Sequence, residues 1–465
     1  MFMPESLIES DDYIITYATH IKGRLVAILV SFPANPIPVS GKMAFSEALI
    51  FVACAVICVS QPVDKQPVLK ETPAEVLFRV SEKPQPLFLE CVTTEKQEGI
   101  TYKWHKDGKE FNPDTKDVMR REGEGSLVFV HPRAEDEGEY QCHAESDQGI
   151  ASSRVISVRR AYINAPEIKT QKHKPVEGKP YHLDCSIPDA YPEPEITWLH
   201  QFASDPSISN QVADSRITIS PEGTLYISSV KEEDVSDNFK YVCVAKSPAV
   251  DEGVPLAEHY IESLEKDPSP DNEVYKQYAT EGMTAKYGES LYLFCIYGGN
   301  PLAHPDWYKD GKNVNNNPAD RVTRYNRSKG KRLLIREVWL EDEGEYTCIV
   351  DNEVGKPQNH TFRLTVVSEP EYVVEPADKL LAKEGQDVTI PCQVAAWPLA
   401  RISWTYNAKP LPKSEKYVFY PTNPATNMTV GDLMIKDVQK ADKGYYGCRA
   451  ENEHGDIYSE ILVLV

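Results

Sequence analysis

The residues LLIREVWLEDEGEYTC, 333–348, indicate the fold most directly, because the chain repeats their spacing. The fixed positions read L-x-I-x-x-V-x-x-x-D-x-G-x-Y-x-C, and LMIKDVQKADKGYYGC, residues 433–448, matches all of them. An earlier copy keeps the last four of these positions, which are Asp136, Gly138, Tyr140 and Cys142. Apolar residues two positions apart predict a strand with one buried face. A repeated β unit is therefore the basic element of the chain.

The copy that ends at residue 243 departs from this pattern. It keeps Tyr241 and Cys243, but Phe239 stands at the glycine position and three extra residues follow Asp234. We therefore expect a remodelled corner between the two strands of this repeat.

Each repeat also carries a cysteine and a tryptophan upstream of the stretch. The four sets are Cys91, Trp104 and Cys142; Cys185, Trp198 and Cys243; Cys295, Trp307 and Cys348; and Cys392, Trp404 and Cys448. In an immunoglobulin sandwich a disulfide joins the two sheets, a tryptophan packs on it, and a tyrosine two residues before the second cysteine closes a corner. The spacing predicts an all-β chain of four tandem immunoglobulin-like domains of the I-set type. It also predicts the disulfides Cys91–Cys142, Cys185–Cys243, Cys295–Cys348 and Cys392–Cys448.

The repeats place the domains at residues 61–161, 162–265, 281–368 and 369–465. The second junction is longer than the other two and contains the acidic stretch LEKDPSPDNEVYKQYATEG, residues 264–282. A longer polar junction allows the chain to reverse direction, so we interpret residues 266–280 as a linker and hinge. Longer strands or loops in the flanking domains are the alternative.

The amino-terminal segment predicts secretion. Residues 43–60, MAFSEALIFVACAVICVS, have an apolar core of the length found in signal peptides and too short for a membrane span. We expect the mature chain to begin at Gln61. Residues 1–42 fit no signal pattern, and we interpret them as an upstream extension of the gene model, with a genuine long leader as the alternative. The chain stops at ILVLV, which is too short for a lipid-anchor signal or a span, so we expect a secreted protein that does not span a membrane.

Composition and motifs argue against several functions. The net charge is −21, from 50 basic and 71 acidic residues, which disfavours nucleic acid as a partner. The sequence has no nucleophile elbow, phosphate loop or zinc-binding helix motif. We therefore expect a binding protein and not an enzyme, with no cofactor and no metal.

One segment runs against the overall charge. Within DRVTRYNRSKGKRLLIRE, residues 320–337, six cationic residues lie close together between positions 321 and 332 with no acid between them, namely Arg321, Arg324, Arg327, Lys329, Lys331 and Arg332. This basic segment predicts a site for anions, and a solvated hairpin is the alternative. The sequence also has three glycosylation sequons, at Asn326, Asn359 and Asn427.

Distinctive stretches add a resemblance to these inferences. They include CSIPDAYPEP at 185–194, YGGNPLAHPDWYKDGK at 297–312 and KGYYGCRAENEHGDIY at 443–458. Residues 61–465 resemble the hemolin family, insect plasma proteins of four immunoglobulin-like domains, and residues 1–42 lie outside the resemblance.

The resemblance implies an inducible immune protein of the hemolymph that binds lipopolysaccharide and lipoteichoic acid of bacteria and associates with the hemocyte surface. With that ligand, the basic segment would contact the phosphates of lipopolysaccharide. The resemblance also implies a horseshoe in which domains 1 and 4 pack together, as do domains 2 and 3, and it leaves self-association as a further expectation. Neuroglian-like and contactin-like adhesion molecules share the domain order, so homophilic or heterophilic cell adhesion is the alternative function.

Overall fold

The computed structural model describes strands Ile14–Ile21 and Arg24–Ser31, and residues 67–465 without residues 82, 95–98, 114, 206, 213, 270, 316–319 and 421–427. The chain forms two compact units, Met1–Lys65 and Gln66–Val465. In the first unit the two strands pair antiparallel, with Ile14 opposite Ser31. Both belong to the segment that we interpret as a gene-model extension. The predicted signal peptide, residues 43–60, and the expected start at Gln61 lie outside the described residues.

The second unit consists of four β-sandwiches, each with its own buried core. The strands of domain 1 are Glu75–Arg79, Leu87–Leu89, Thr101–Lys106, Lys109–Phe111, Val118–Arg120, Leu127–Phe129, Gly138–Ser146, Gly149–Ser152 and Ile156–Asn164. The strands of domain 2 are Thr170–His173, Tyr181–Leu183, Asp189–Tyr191, Glu195–Phe202, Ser209–Gln211, Ile217–Ile219, Leu225–Ile227, Phe239–Lys246 and Val254–Ile261.

The other two domains repeat this order of strands. The strands of domain 3 are Asn272–Ala279, Met283–Lys286, Leu291–Asn300, Asp306–Lys309, Lys312–Asn313, Val322–Arg324, Arg332–Ile335, Gly344–Val350 and Gln358–Tyr372. Domain 4 shares the end of that last strand and adds Lys379–Leu381, Val388–Ile390, Gln393–Trp397, Arg401–Tyr406, Lys409–Pro410, Tyr417–Phe419, Met428–Val430, Leu433–Ile435, Gly444–Asn452 and Gly455–Leu464. Short 3-10 turns lie at Ala134–Asp136, Glu232–Asp234, Asn326–Ser328, Leu340–Asp342 and Lys440–Asp442.

The two sheets of each sandwich follow the same plan. One sheet contains the strand before the first cysteine, paired antiparallel with the strand of the Leu-x-Ile or Leu-x-Phe motif, as Leu87–Leu89 pairs with Leu127–Phe129. In the other sheet an early strand runs parallel to the last strand, as Glu75–Arg79 does with Ile156–Asn164. Domains 2, 3 and 4 contain the same parallel pair.

The tryptophans and cysteines occupy equivalent places in all four cores. Each tryptophan lies opposite the second cysteine of its domain in the strand register, and the pairs are Trp104 and Cys142, Trp198 and Cys243, Trp307 and Cys348, and Trp404 and Cys448. The indole N–H donates to a glycine carbonyl at 2.7–2.8 Å, in turn that of Gly125, Gly223, Gly330 and Gly431. The four disulfides are those that the spacing predicts, with Cα–Cα distances of 6.2–6.5 Å.

The tyrosine corner is also present in every domain, including the divergent second one. In domain 3 the Tyr346 hydroxyl donates to the carbonyl of Asp342 at 3.0 Å, and domains 1 and 4 have the equivalent bond. In domain 2 the Tyr241 hydroxyl reaches the carbonyl of Asp234 at 3.0 Å across a longer loop. The expected remodelling is therefore confined to the loop, since the closing hydrogen bond is kept.

Two strands run across domain boundaries that the sequence predicts. Strand Ile156–Asn164 passes the boundary at 161, and its end pairs with Asp189–Tyr191 of domain 2. Strand Gln358–Tyr372 passes the boundary at 368 and pairs on into domain 4. Most of the proposed linker, residues 266–280, is strand Asn272–Ala279, because Val274 packs into the core of domain 3. The longer second junction thus contains a strand of domain 3, which was the alternative.

The chain doubles back between domains 2 and 3 and forms a horseshoe. The Gln277 side-chain amide donates to the carbonyls of Tyr181 at 2.9 Å and Ile227 at 3.2 Å. Tyr226 stacks on Tyr278, with 6.0 Å between the ring centroids. Domain 1 contacts domain 4 at the other end, as the resemblance implies.

Candidate functional site

The basic segment forms a hairpin on domain 3. Strand Val322–Arg324 pairs antiparallel with Arg332–Ile335, and the turn Asn326–Ser328 lies in the connection between them. The hairpin places its six cationic side chains in different surroundings, so they do not form one patch.

Arg321 stabilises the corner of its own domain. Its guanidinium donates two hydrogen bonds to the Asp342 carboxylate, at 2.5 and 2.7 Å, and lies 4.1 Å from the ring centroid of Trp339. The bond to Asp342 raises the pKa of Arg321. Domains 2 and 4 have the same arrangement, with Arg216 bound to Asp234 at 2.7 Å and Lys416 bound to Asp442 at 2.5 Å. The role of Arg321 is therefore structural.

Three other members of the basic segment are also engaged. Arg324 binds Asp306 at 2.8 Å, and Arg332 lies against the rings of Tyr292 and Tyr325. Lys331 is fully buried between domains 2 and 3, where its Nζ donates to the carbonyl of Ser215 at 2.8 Å. Burial lowers the pKa of Lys331 to about 8. A ligand on the surface does not reach this ammonium group.

Two cations of the segment face solvent. Arg327 and Lys329 are exposed, and neither forms an ion pair with another described residue. Burial, and then the charge of Lys329, lower the pKa of the neighbouring His304. Of the six cations in the basic segment, Arg327 and Lys329 are therefore the two that the described structure leaves exposed to solvent without an ion pair.

Two of the three sequons can be located. Asn326 is exposed in the 3-10 turn, directly before Arg327, and Asn359 is exposed on strand Gln358–Tyr372. Asn427 lies outside the described residues. A glycan on Asn326 would stand beside the two exposed cations.

A second candidate surface is the contact between domains 1 and 4, whose residues the sequence did not predict. Tyr445 and Leu462 of domain 4 are buried together with Ala144 and Ala151 of domain 1. The terminal ILVLV could have indicated this contact, because Ile461 and Val463 already fill the core of domain 4 and leave the other face of the strand apolar. Apolar residues on the opposite face of the same strand require a second partner, and Leu462 finds it in domain 1.

Polar contacts surround this apolar cluster. The Tyr445 hydroxyl donates to the carbonyl of Pro67 at 2.8 Å, and the Ser152 N–H donates to Glu460 Oε2 at 2.6 Å. An Arg154 Nη donates to the carbonyl of Asp456 at 3.0 Å. Gly149 allows the close approach, because a Cβ there would lie 2.5 Å from Asn407 Oδ1. We refer to this set of contacts as the 1–4 contact.

In the part of the chain that the structure describes, His, Cys, Asp and Glu side chains form no group of three or more that could hold a metal ion. Within the same residues, no helix has the length and apolar character needed to cross a membrane.

Family models agree with the four sandwiches. The immunoglobulin I-set domain matches residues 276–366 and 371–465, and the model described as immunoglobulin domain matches residues 66–146 and 165–247. Neither describes an enzyme family.

Individual relatives are more specific. Hemolin of Manduca sexta is 51% identical over 425 residues, which cover 91% of this chain and 100% of that protein. Hemolin of Lonomia obliqua is 49% identical with the same coverage. Neuroglian of Drosophila melanogaster is 35% identical over 414 residues, covering 87% of this chain and 30% of that protein.

A solved structure shares the domain arrangement. The crystal structure of the insect immune protein hemolin, reported as a new domain arrangement with implications for homophilic adhesion, has a TM-score of 0.79 and 49% sequence identity. It covers 86% of this chain and all of that one. The chain therefore belongs to the hemolin family of insect immune proteins, within the immunoglobulin superfamily.

Proposed function

We propose that this protein is a secreted recognition protein of the hemolymph that binds lipopolysaccharide and lipoteichoic acid on bacterial surfaces and associates with hemocytes. The observation that carries the proposal is the identity of 48–51% with hemolins across all four domains. Four disulfides are consistent with an oxidising secretory route. We also propose glycosylation at Asn326, Asn359 and Asn427.

The candidate contact with bacterial phosphates is the exposed pair Arg327 and Lys329. A guanidinium binds phosphate through two parallel hydrogen bonds, and an ammonium adds a compact charge beside it. The bonds of Arg321 and Arg324 to carboxylates neutralise those two cations, so they contribute little to the field at the hairpin. The proposed phosphate contact therefore uses two of the six cations that the sequence suggests.

The test compares two double variants that each remove two positive charges from domain 3. Arg327→Gln with Lys329→Gln changes the candidate pair, and Lys312→Gln with Lys356→Gln changes two exposed lysines elsewhere on the domain. Binding of purified protein to immobilised lipopolysaccharide and lipoteichoic acid is measured at several salt concentrations. We expect the first variant to bind about tenfold or more weakly and with a flatter salt dependence, since a hydrogen bond to a charged group contributes roughly 1.5–3 kcal/mol.

The control variant should retain the affinity of the unchanged protein. Equal losses in both variants would mean that only the overall charge matters. Unchanged affinity of the Arg327 and Lys329 variant would place the ligand site elsewhere. If the unchanged protein bound neither bacterial component, the recognition proposal would fail.

Cell adhesion of the neuroglian or contactin type remains the second candidate. It is favoured by the 35% identity with neuroglian over most of this chain and by the association of the hemolin crystal structure with homophilic adhesion. Beads coated with the protein should then aggregate without any bacterial component. Aggregation in that assay, together with no binding to bacterial surfaces, would favour adhesion over recognition.

A further inference from the structure

The last strand of domain 4 contributes side chains both to the core of its own domain and to the apolar cluster shared with domain 1. Along Gly455–Leu464, Ile461 and Val463 face the interior of domain 4, whereas Leu462 packs against domain 1. Alternation along a strand puts Glu460 on the same face as Leu462. A carboxyl group is therefore carried into the 1–4 contact.

The partners of this carboxyl group are neutral. Glu460 Oε2 accepts a hydrogen bond from the Ser152 N–H of domain 1 at 2.6 Å, and Oε1 accepts one from the Tyr458 hydroxyl. Among the described residues, no Lys, Arg or His forms an ion pair with it. The part of Glu460 that is not covered by protein lines a cavity of about 570 Å³ between domains 1 and 4.

The surrounding charges do not compensate for an ionised Glu460. The cavity wall carries Lys70 and Arg154, but also Glu71, Glu371, Glu375 and Asp378, which is an excess of acids. The Arg154 guanidinium donates to the carbonyl of Asp456. A further negative charge on Glu460 would thus lose hydration without gaining an opposite charge.

Besides the charged residues of the cavity wall, four titratable groups near Glu460 are held neutral. On the domain 1 side, His143 Nδ1 lies 3.0 Å from Ser152 Oγ, and burial lowers the pKa of His143 to about 4. On the domain 4 side, burial raises the pKa of Tyr445, Tyr458 and Tyr372. Burial likewise raises the pKa of Glu460 to about 7.

We propose that Glu460 is a pH-sensitive latch, which holds domains 1 and 4 together when its carboxyl group is protonated and weakens their contact when it ionises. This regulatory role goes beyond the recognition function and does not depend on which ligand the protein binds.

The direction in which pH changes the stability of the 1–4 contact follows from comparing its closed and open states. When the contact opens, Glu460 faces water and its pKa returns towards 4.5. The stabilisation by the protonated carboxyl is complete below that value and is lost as the pH rises through about 7. The full shift corresponds to a change on the order of 10²-fold in the ratio of closed to open molecules. Protonation of His143 near pH 4 would oppose closure at the acidic end.

The test uses Glu460→Gln, which keeps the shape of the side chain and removes its charge. Glu453→Gln is the matched control, since Glu453 is an exposed acid on the hairpin that precedes the same strand. Small-angle scattering of the full chain is recorded between pH 5 and 8.5. The unchanged protein and the control should expand as the pH rises, whereas the Glu460 variant should remain compact.

Two results would overturn the latch. The first is scattering of the unchanged protein that does not vary over this range. The second is a Glu460 variant that expands as much as the unchanged protein. A carbon-13 titration of the Glu460 carboxyl gives an independent measurement if the variant folds poorly. A value near 4.5 in the closed molecule would reject the proposal.

Discussion

Replacing Arg321 with methionine should destabilise domain 3 far more than replacing Arg324, although both belong to the basic segment. The Asp342 side chain is 5% exposed, and Arg321 supplies two of its hydrogen bonds. Removing one partner of a buried ion pair costs about 3–5 kcal/mol. Because Arg321 itself is 24% exposed, we expect the lower end, about 3 kcal/mol, including the lost contact with Trp339.

Arg324→Met is the control with the same change of charge. Arg324 and Asp306 are 30% and 52% exposed, and such surface pairs contribute about 0–1 kcal/mol. Calorimetry should show the transition of domain 3 lowered by roughly 10–20 °C in the Arg321 variant and by a few degrees at most in the control. Equal effects of the two substitutions would refute the assignment of Arg321 to the corner.

Two further predictions concern domains 4 and 2. Ala408 lies in a turn with φ of 65°, a backbone conformation that disfavours a Cβ. Ala408→Gly should therefore stabilise domain 4 by about 0.5–1 kcal/mol in thermal unfolding. The control Ala400→Gly changes a buried alanine without positive φ and should destabilise the domain. In domain 2, His173 and His259 share a hydrogen bond, and burial lowers the pKa of both imidazoles. The free energy of unfolding of domain 2 should therefore be highest above about pH 6.5 and decrease as the pH falls below that value. Urea unfolding at pH 8 and pH 5 checks this expectation, which predicts a smaller loss in the double variant His173→Phe, His259→Phe.

The fold could be predicted because its key residues are chemically distinctive and repeat. A cysteine pair and a tryptophan in constant register identify the strands that face each other, as Trp307 faces Cys348. The junctions were harder, since Val274 lies in an acidic, proline-bearing stretch whose composition suggested a linker. Burial in the core of domain 3 outweighs that local preference.

The candidate site was less predictable because sequence proximity does not determine where a side chain points. Lys329 and Lys331 are two residues apart, yet one is exposed and the other is buried against domain 2. Comparison of Arg321 with Arg216 in the preceding repeat could have shown that each binds the aspartate of its own corner. A single repeat read alone contains no such signal.

Strand Gln358–Tyr372 gives domains 3 and 4 a common backbone, and Ile156–Asn164 does the same for domains 1 and 2 through its pairing with Asp189–Tyr191. Bending at either of these two domain junctions would break hydrogen bonds between paired strands. Domains 1 and 2 therefore move as one rigid body, and so do domains 3 and 4. Any separation of domains 1 and 4 must then pivot where domains 2 and 3 meet. Because domains 1 and 4 lie far from the place where domains 2 and 3 meet, a small rotation there displaces domains 1 and 4 by a large distance. The separation between domains 1 and 4 is therefore the most sensitive measure of this movement.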